Sequence, residues 1–276
     1  MPMNAHEYKI AILLPTRGRS DALEKSVKSL YELADSPESI QLMLGFDDDD
    51  AEGVEAFQNL LQPWLNQQNI NYTALSFQAL GYTRLNEYVN KLALESDSDW
   101  LVFWNDDAYM ETLGWDTVIS SHTNEFKLLA FHTHNDHPYS IFPIVPRAWL
   151  DCMGYLSPHQ ISDAWLSQQA FMLDIWERIP VDVIHDRHDL TGNNGDETFH
   201  NRIMFEGNPR NPNDFHHQNW TNRRLAETDK IAQYMKSQGL DITWWNNVKL
   251  GTQDPWVKMK ANDPNNQTSQ HKVYRI

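Results

Sequence analysis

Apolar and polar positions along the first hundred residues predict strands and helices in alternation. Four short apolar runs have the length and the β-branched and aromatic content of strands: residues 8–15, 40–46, 71–77 and 100–104. Three longer segments carry apolar residues at helical spacing: residues 20–34, 54–68 and 82–95. This order predicts an α/β fold with a mostly parallel, doubly wound sheet flanked by helices.

Local signals refine two of these helices. Ser20 stands where an N-cap is expected, ahead of Leu23, Val27 and Leu30 on one helical face. Pro63 falls inside the second helical segment, so we expect that helix to be broken or kinked there.

Each predicted strand runs into polar or charged residues. The segments that follow the four strands are "PTRGRS", "DDDDAEG", "LGYTR" and "NDDA". Ligands of doubly wound sheets bind beyond the carboxyl ends of the strands, where these segments would meet. The pattern therefore predicts a functional crevice at this edge.

The fourth strand leads directly into Asn105, Asp106 and Asp107. Adjacent carboxylates repel each other and lose hydration when a pocket closes over them, so they persist by sharing a cation or a proton, or by staying in water. A divalent-cation site and a solvated strand-to-loop turn are both open on these residues alone.

The absence of three known motifs narrows the range of ligands that the crevice could bind. The chain has no G-x-G-x-x-G after its first strand, no P-loop and no H-E-x-x-H. A nucleotide whose phosphates are held by a metal on carboxylates stays compatible with the sequence.

Composition and charge bound the class of protein. The 276 residues are 41% hydrophobic, enough for one large or two small domains with a sizeable core. With no leader-like or membrane-spanning run we expect a cytoplasmic protein, and the single Cys152 allows no internal disulfide. A net charge of −16 argues against general nucleic-acid binding, although residues 201–276 hold 11 Lys and Arg against 7 Asp and Glu.

The segments "AILLPTRGRS", "LMLGFDDDDAEG", "LGYTRLNEYVNKL" and "DWLVFWNDDA" together resemble the nucleotide-binding half of GT-A fold glycosyltransferases. The resemblance is to the large inverting, family-2-like group, and "HDRHDLTGNNGDETF" is similar to compact members encoded by tailed bacteriophages. It covers about residues 8–200. It implies a Rossmann-like nucleotide-sugar-binding and catalytic region over 1–200, with 201–276 as a C-terminal, acceptor-facing helical extension packed on it.

The resemblance also assigns roles to donor-site residues. It places Thr16, Arg17 and Arg19 beside the nucleotide, Asp47 or Asp48 near the base, and Arg84 near the ribose or diphosphate. Asn105, Asp106 and Asp107 stand at the family's DxD motif, where the last Asp binds the metal. Because this chain has Asn at the first position, a metal contact by Asn105 or Asp106 stays open.

A divalent metal is also favoured by the chemistry. Departure of a diphosphate builds up negative charge that a bridging cation stabilises, and oxygen ligands with an imidazole suit Mn²⁺ or Mg²⁺. The resemblance makes His185 or His188, at the end of a β-rich run, the third protein ligand. The structural alternative is a turn with surface histidines.

Inverting transfer needs a base for the acceptor hydroxyl, and the resemblance points to Asp163. A purely structural alternative makes Ser162 or Asp163 a helix N-cap. Asp151, Asp174 and Asp196 are the next candidates for the base.

The sequence thus predicts a metal-dependent transfer of a sugar from a nucleotide-diphosphate sugar, a UDP-sugar first, to an acceptor hydroxyl. The acceptor is a glycan or a hydroxylated base of phage DNA. Competing hypotheses are a nucleotidyltransferase and a non-catalytic nucleotide-sugar or glycan-binding protein. Trp220, Trp244 and Trp245 either stack on sugars or bases or pack a helical extension, and we favour packing.

Overall fold

The computed structural model describes residues 6–133, 137–187, 192 and 211–262. Within them, one eight-stranded sheet has the strand order β3-β2-β1-β4-β7-β6-β8-β5. The strands are β1 Tyr8–Thr16, β2 Ile40–Asp47, β3 Tyr72–Phe77, β4 Ser98–Phe103, β5 Ala108–Met110, β6 Leu128–Thr133, β7 Pro143–Pro146 and β8 Trp176–His185.

Helices cover both faces of this sheet. In the described residues they are α1 Ser20–Glu32, α2 Ala51–Ala56, α3 Gln62–Gln67, α4 Leu85–Glu95, α5 Trp115–Ser120, α6 Arg147–Met153, α7 Ser162–Leu173, α8 Gln218–Ser237, α9 Thr243–Lys249 and α10 Val257–Asn262. Short 3-10 turns occupy Pro37–Ser39 and Tyr82–Arg84. Among these helices, none combines the length and the apolar character needed to cross a bilayer.

The first half of the chain forms the parallel part of the sheet. β1 pairs in parallel with β2 and with β4, and β2 pairs in parallel with β3. The second half adds antiparallel pairs of β4 with β7, β7 with β6, and β8 with β5, while β6 and β8 are parallel. The predicted α/β class and mostly parallel sheet are confirmed.

Two apolar layers explain why the strands are apolar without interruption. On β1, Ile10, Ile12 and Leu14 face a layer formed with α1, α3 and α5, while Ala11 and Leu13 face a layer formed with α4, α6 and α7. Alternate side chains of a strand point to opposite faces, so burial on both faces requires apolar residues at every position.

The segment after residue 211 joins the second of these layers. Ile231 of α8 and Trp245 of α9 belong to the same buried cluster as α6 and α7, and Trp244 packs against it. Trp220 lies in an aromatic group with His159 and Trp165. The expectation that the tryptophans pack is confirmed, whereas the domain boundary near residue 200 lies outside the described residues and stays a prediction.

The two local helix predictions have different outcomes, the first wrong and the second confirmed. Ser20 is the first residue of α1, and the N-cap is Arg19, whose side chain makes no capping hydrogen bond, so the predicted Ser20 cap is wrong. Near Pro63 the helix is interrupted by a π-turn, Phe57–Leu61. Proline lacks an N–H and crowds the carbonyl four residues earlier, so a wider turn before it relieves the conflict.

Arg147 ties the sheet to the helix layer. Its buried guanidinium donates to the carbonyl oxygens of Ser98 at 3.0 Å, Ala93 at 2.8 Å and Ser96 at 2.9 Å, and to the Ser96 hydroxyl at 2.7 Å. It therefore ties the C-terminal end of α4 to the start of β4, the strand that leads into the acidic residues.

We predict that Arg147→Met lowers the free energy of unfolding by about 3 kcal/mol, because buried acceptors lose charge-assisted hydrogen bonds. Urea unfolding followed by circular dichroism measures it. The matched control is Lys91→Met, which removes an exposed cation paired with Glu95 and should change stability by less than about 0.5 kcal/mol. Equal effects of the two substitutions would contradict the assigned role of Arg147.

Candidate active site

A cleft of about 280 Å³ opens at the carboxyl ends of β1, β2 and β4. Nine of the residues predicted from the sequence line it: Thr16, Arg17, Arg19, Asp47, Asn105, Asp106, Asp107, Asp163 and His185. Those residues come from five separate stretches of chain. The predicted crevice at this edge of the sheet is therefore present.

Asp106 and Asp107 are buried in this cleft, 1% and 5% exposed. The Thr16 hydroxyl donates to Asp106 Oδ2 at 2.7 Å. The Arg19 guanidinium spans both acids, with Nη2 3.2 Å from Asp106 Oδ1 and Nη1 donating to Asp107 Oδ2 at 3.0 Å. The alternative of a solvated turn is wrong, since both carboxylates are out of water and share a cation.

The acidic turn is held from below by α1. Trp104 Nε1 donates to Ser26 Oγ at 2.8 Å, and this hydroxyl donates to the carbonyl oxygen of Asn105 at 3.2 Å. Both contacts are buried or partly buried. The last aromatic residue of the predicted fourth strand thus fixes the direction in which the chain enters the acidic pair.

Strand register brings His185 to Asp107. β5 and β8 pair with Ala108 opposite His185, and the Asp186 N–H donates to the carbonyl oxygen of Asp107 at 2.8 Å. His185 Nε2 lies 3.4 Å from Asp107 Oδ1, and neither atom has a hydrogen-bond partner in the described residues. The edge-on contact with Phe142, 5.0 Å between ring centroids, helps to orient the imidazole.

The charge state of Asp107 follows from these neighbours. Burial by itself would raise the pKa of the carboxyl, but His185 and Arg19 outweigh burial and lower it. Asp107 is therefore an anion at neutral pH, the form that binds a metal.

Asp107 Oδ1 and His185 Nε2 fit a divalent metal. Two neighbouring ligands of an octahedral ion at about 2.1 Å would lie ~3 Å apart, close to the observed separation. The donor set, a carboxylate oxygen and an imidazole nitrogen, suits Mn²⁺. His188, the other predicted histidine ligand, lies outside the described residues.

Another group of metal-type side chains lies on the surface, at His122, Glu125 and Glu177. Lys127 Nζ already contacts Glu125 at 2.8 Å and Glu177 at 2.6 Å. One ammonium group thus already pairs with both acids there, and the arrangement is a surface ion-pair network.

Asp47 is the acid of the second strand end that faces the cleft. It is buried and accepts hydrogen bonds from Arg17 Nη1, at 2.9 Å, and from the Tyr88 hydroxyl. Burial, together with this contact to Asp47, raises the pKa of Tyr88 to about 12, so its hydroxyl keeps the proton it donates. Arg17 also pairs with the exposed Asp49.

Two predicted donor-site residues do not line the cleft. Asp48 is exposed and accepts from the Ala79 N–H at 3.1 Å. Arg84 is exposed and pairs with Glu87 one helical turn away. Their roles in nucleotide binding stay predictions.

Asp163 is the second residue of α7 and lines the cleft together with Gln160, Ile161 and Ser162. The N-cap of α7 is Ile161, whose side chain makes no capping hydrogen bond. The capping alternative for Ser162 or Asp163 is therefore wrong. The helix N-terminus favours an ionised carboxylate, the form a base needs.

The fallback acids are less well placed. Asp151 is exposed on α6, and Asp174 ends α7 with Lys258 2.6 Å away. Neither lines the cleft. Asp196 lies outside the described residues.

Sequence reasoning missed several lining residues, among them Tyr82, Tyr88, Gln160 and Arg187. Tyr88 lies on the buried face of α4 beside Val89 and Leu92. Helical spacing alone would make it a core residue, because its hydroxyl contact to Asp47, 41 residues away, has no local signature.

Comparison with known proteins bears on the fold. No protein-family model matches the chain, and no curated protein is similar to it in sequence. The solved structures with a similar fold include a mannosyltransferase, PcManGT from Pyrobaculum calidifontis with GDP-Man and Mn²⁺, S. aureus TarS 1-349 with UDP-GlcNAc, and S. aureus TarS 1-349 alone.

The mannosyltransferase is 11% identical with a TM-score of 0.56, and the match covers 97% of this chain and 90% of that one. The TarS complex is 10% identical with a TM-score of 0.52, over 92% and 79% of the two chains. TarS alone is 12% identical with a TM-score of 0.47. The match covers 65% of this chain and 58% of the TarS chain. The first two likenesses establish the GT-A fold that the sequence predicted.

The Thr16–Asp106 contact gives a direct test of the buried acids. We predict that Thr16→Val, which keeps the side-chain shape, lowers the free energy of unfolding by about 1–3 kcal/mol because buried Asp106 loses a donor. Thr117→Val is the control, since it removes an exposed threonine hydrogen bond to Asp35. Urea unfolding should show a change within about 0.5 kcal/mol for the control; a comparable loss in both would contradict the prediction.

Proposed function

We propose that this protein is a metal-dependent GT-A glycosyltransferase that moves a sugar from a nucleotide-diphosphate sugar to an acceptor hydroxyl with inversion. One observation carries the proposal. A single cleft brings together three groups: one oxygen of the buried Asp107 carboxylate beside the His185 ring, neither with a hydrogen-bond partner among the described residues, two arginines, and a separate carboxylate at a helix N-terminus. A nucleotidyltransferase or a simple binding protein does not require all three groups together.

Donor binding is proposed to use Asp47 and the two arginines. Asp47, oriented by Tyr88 and Arg17, offers a carboxylate acceptor to a nucleobase N–H. The similar structures contain GDP-Man or UDP-GlcNAc, which supports a nucleotide-sugar donor. A UDP-sugar is our first choice of donor.

Asp107 and His185 would hold the metal, and His188 is proposed as a further ligand. Mn²⁺ is present in the similar mannosyltransferase complex, and Mg²⁺ is the alternative ion. When bound, the ion neutralises charge that develops on the departing diphosphate.

Asp163 is proposed as the general base. It takes the proton of the acceptor hydroxyl as that oxygen bonds to the anomeric carbon on the face opposite the diphosphate. The bond from the anomeric carbon to the phosphate oxygen breaks, and its electron pair stays on the leaving nucleoside diphosphate. One displacement of this kind inverts the anomeric centre.

The acceptor is proposed to approach from the side of α7 and the C-terminal segment. Helices α8 and α9 pack on α7, the helix that carries Asp163, and on the adjoining core. The basic excess of residues 201–276 would suit an anionic acceptor, either a glycan or a hydroxylated base of DNA.

We predict that Asp107→Asn weakens both Mn²⁺ binding and Mn²⁺-dependent binding of UDP at least 10-fold, because an amide is a neutral ligand of nearly the same shape. Isothermal titration with Mn²⁺ and then with UDP measures both affinities. Asp186→Asn, next to His185 but absent from the cleft lining, is the matched control. Unchanged Mn²⁺ affinity in Asp107→Asn would remove Asp107 from the metal site.

We predict that Asp163→Asn reduces sugar transfer by about 10²- to 10⁴-fold and leaves the UDP affinity in Mn²⁺ within about twofold, since an amide cannot accept the proton. Transfer would be measured with an acceptor found by screening glycans and hydroxymethylated DNA, with Asp151→Asn as control. Release of UDP rather than pyrophosphate would separate glycosyl from nucleotidyl transfer. Near-normal transfer by Asp163→Asn would rule out the base role.

A further inference from the structure

Arg19 forms ion pairs with both Asp106 and Asp107, the acidic pair, beside the proposed metal site. Its guanidinium bridges Asp106 Oδ1 at 3.2 Å and Asp107 Oδ2 at 3.0 Å, and its side chain is 21% exposed. The second oxygen of Asp107 and the nearby His185 nitrogen have no hydrogen-bond partner among the described residues. The Arg19 guanidinium is thus already one cation on the acidic pair. Asp107 Oδ1 and His185 Nε2 offer a place for a second cation beside it.

Charge explains why the arginine sits there. Two adjacent carboxylates, 1% and 5% exposed, are costly to bury without a counter-ion. A planar guanidinium can contact both acids at once, which an ammonium group does less well. A divalent ion on Asp107 would supply two further positive charges within a few ångströms of Arg19, and like charges at that distance repel.

We propose that Arg19 is an exchangeable internal counter-ion, which neutralises the acidic pair in the metal-free protein and is released toward the donor diphosphate when a divalent ion binds. The inference rests on the proposed metal-dependent donor binding. Metal and arginine then compete for Asp107, while arginine and diphosphate attract each other. Metal binding would thereby make donor binding more favourable through a residue that touches no metal.

Arg17 provides a matched comparison on the same loop. It carries the same charge two residues earlier and also lines the cleft. Its guanidinium pairs with Asp47 at 2.9 Å and with Asp49, not with the acidic pair. Removing Arg17 changes the net charge as much as removing Arg19 does, but leaves the contacts of Asp106 and Asp107 with Arg19 in place.

The test is Mn²⁺ affinity without nucleotide, measured by the electron paramagnetic resonance signal of free Mn²⁺. We expect Arg19→Met to bind Mn²⁺ roughly 5- to 150-fold more tightly than the unaltered protein, the usual range of a coupling between two sites. Arg17→Met should bind Mn²⁺ as the unaltered protein does. At saturating Mn²⁺, Arg19→Met should bind UDP more weakly, so its two affinities change in opposite directions.

Each other outcome decides against the proposal. If Arg19→Met binds Mn²⁺ no more tightly than the unaltered protein, the counter-ion role is overturned while the metal site stands. If Arg17→Met gains as much Mn²⁺ affinity as Arg19→Met does, the effect comes from net charge and the counter-ion role is overturned as well. Absence of Mn²⁺ binding in every variant, with and without UDP, overturns the counter-ion and the metal site together. If Arg19→Met does not fold by circular dichroism, Arg19→Lys carries the test, with a smaller gain in Mn²⁺ affinity expected and no gain counting against the proposal.

Discussion

The burial of two adjacent carboxylates at the end of β4 is the constraint that organises this structure. Asp106 and Asp107 repel each other and lose solvation, so the fold must supply compensating contacts from several directions. Thr16 comes from β1, Arg19 from the loop before α1, and His185 from β8. The strand order that brings those segments together is thereby tied to the chemistry of the cleft.

Much of this arrangement can be predicted from the sequence because the strands of a parallel sheet end at the same edge. Continuous apolar runs mark strands buried on both faces, and their carboxyl ends share one edge. Residues at or just after the carboxyl ends of β1, β2 and β4, such as Thr16, Asp47 and Asp107, can therefore be grouped without knowing any side-chain contact. His185 was reachable too, since the resemblance to GT-A enzymes pointed to the end of a β-rich run.

The rest depends on contacts between residues far apart in sequence, which leave no local signal. Nothing near Arg19 indicates that its guanidinium bridges acids 87 and 88 positions later, and Ser26 looks like any helical serine although it anchors Trp104. The antiparallel strand β5 has only three residues, too few for a periodic pattern. The capping alternative at the N-terminus of α7 is wrong for another reason: Ser162 is a good capping residue, but its hydroxyl donates to the His159 carbonyl instead.

His159 links the turn before Asp163, the proposed base, to the C-terminal segment. Its Nδ1 accepts from the Ile161 N–H at 3.1 Å, and its Nε2 lies 3.1 Å from the Asn213 carbonyl oxygen. Burial lowers the pKa of this imidazole to about 4, so the ring is neutral at physiological pH and can keep one acceptor and one donor nitrogen. The turn before Asp163 is thus fixed by a part of the chain whose composition differs from that of the sheet. If that segment faces the acceptor, its position and the position of Asp163, the proposed base, are set by the same buried ring.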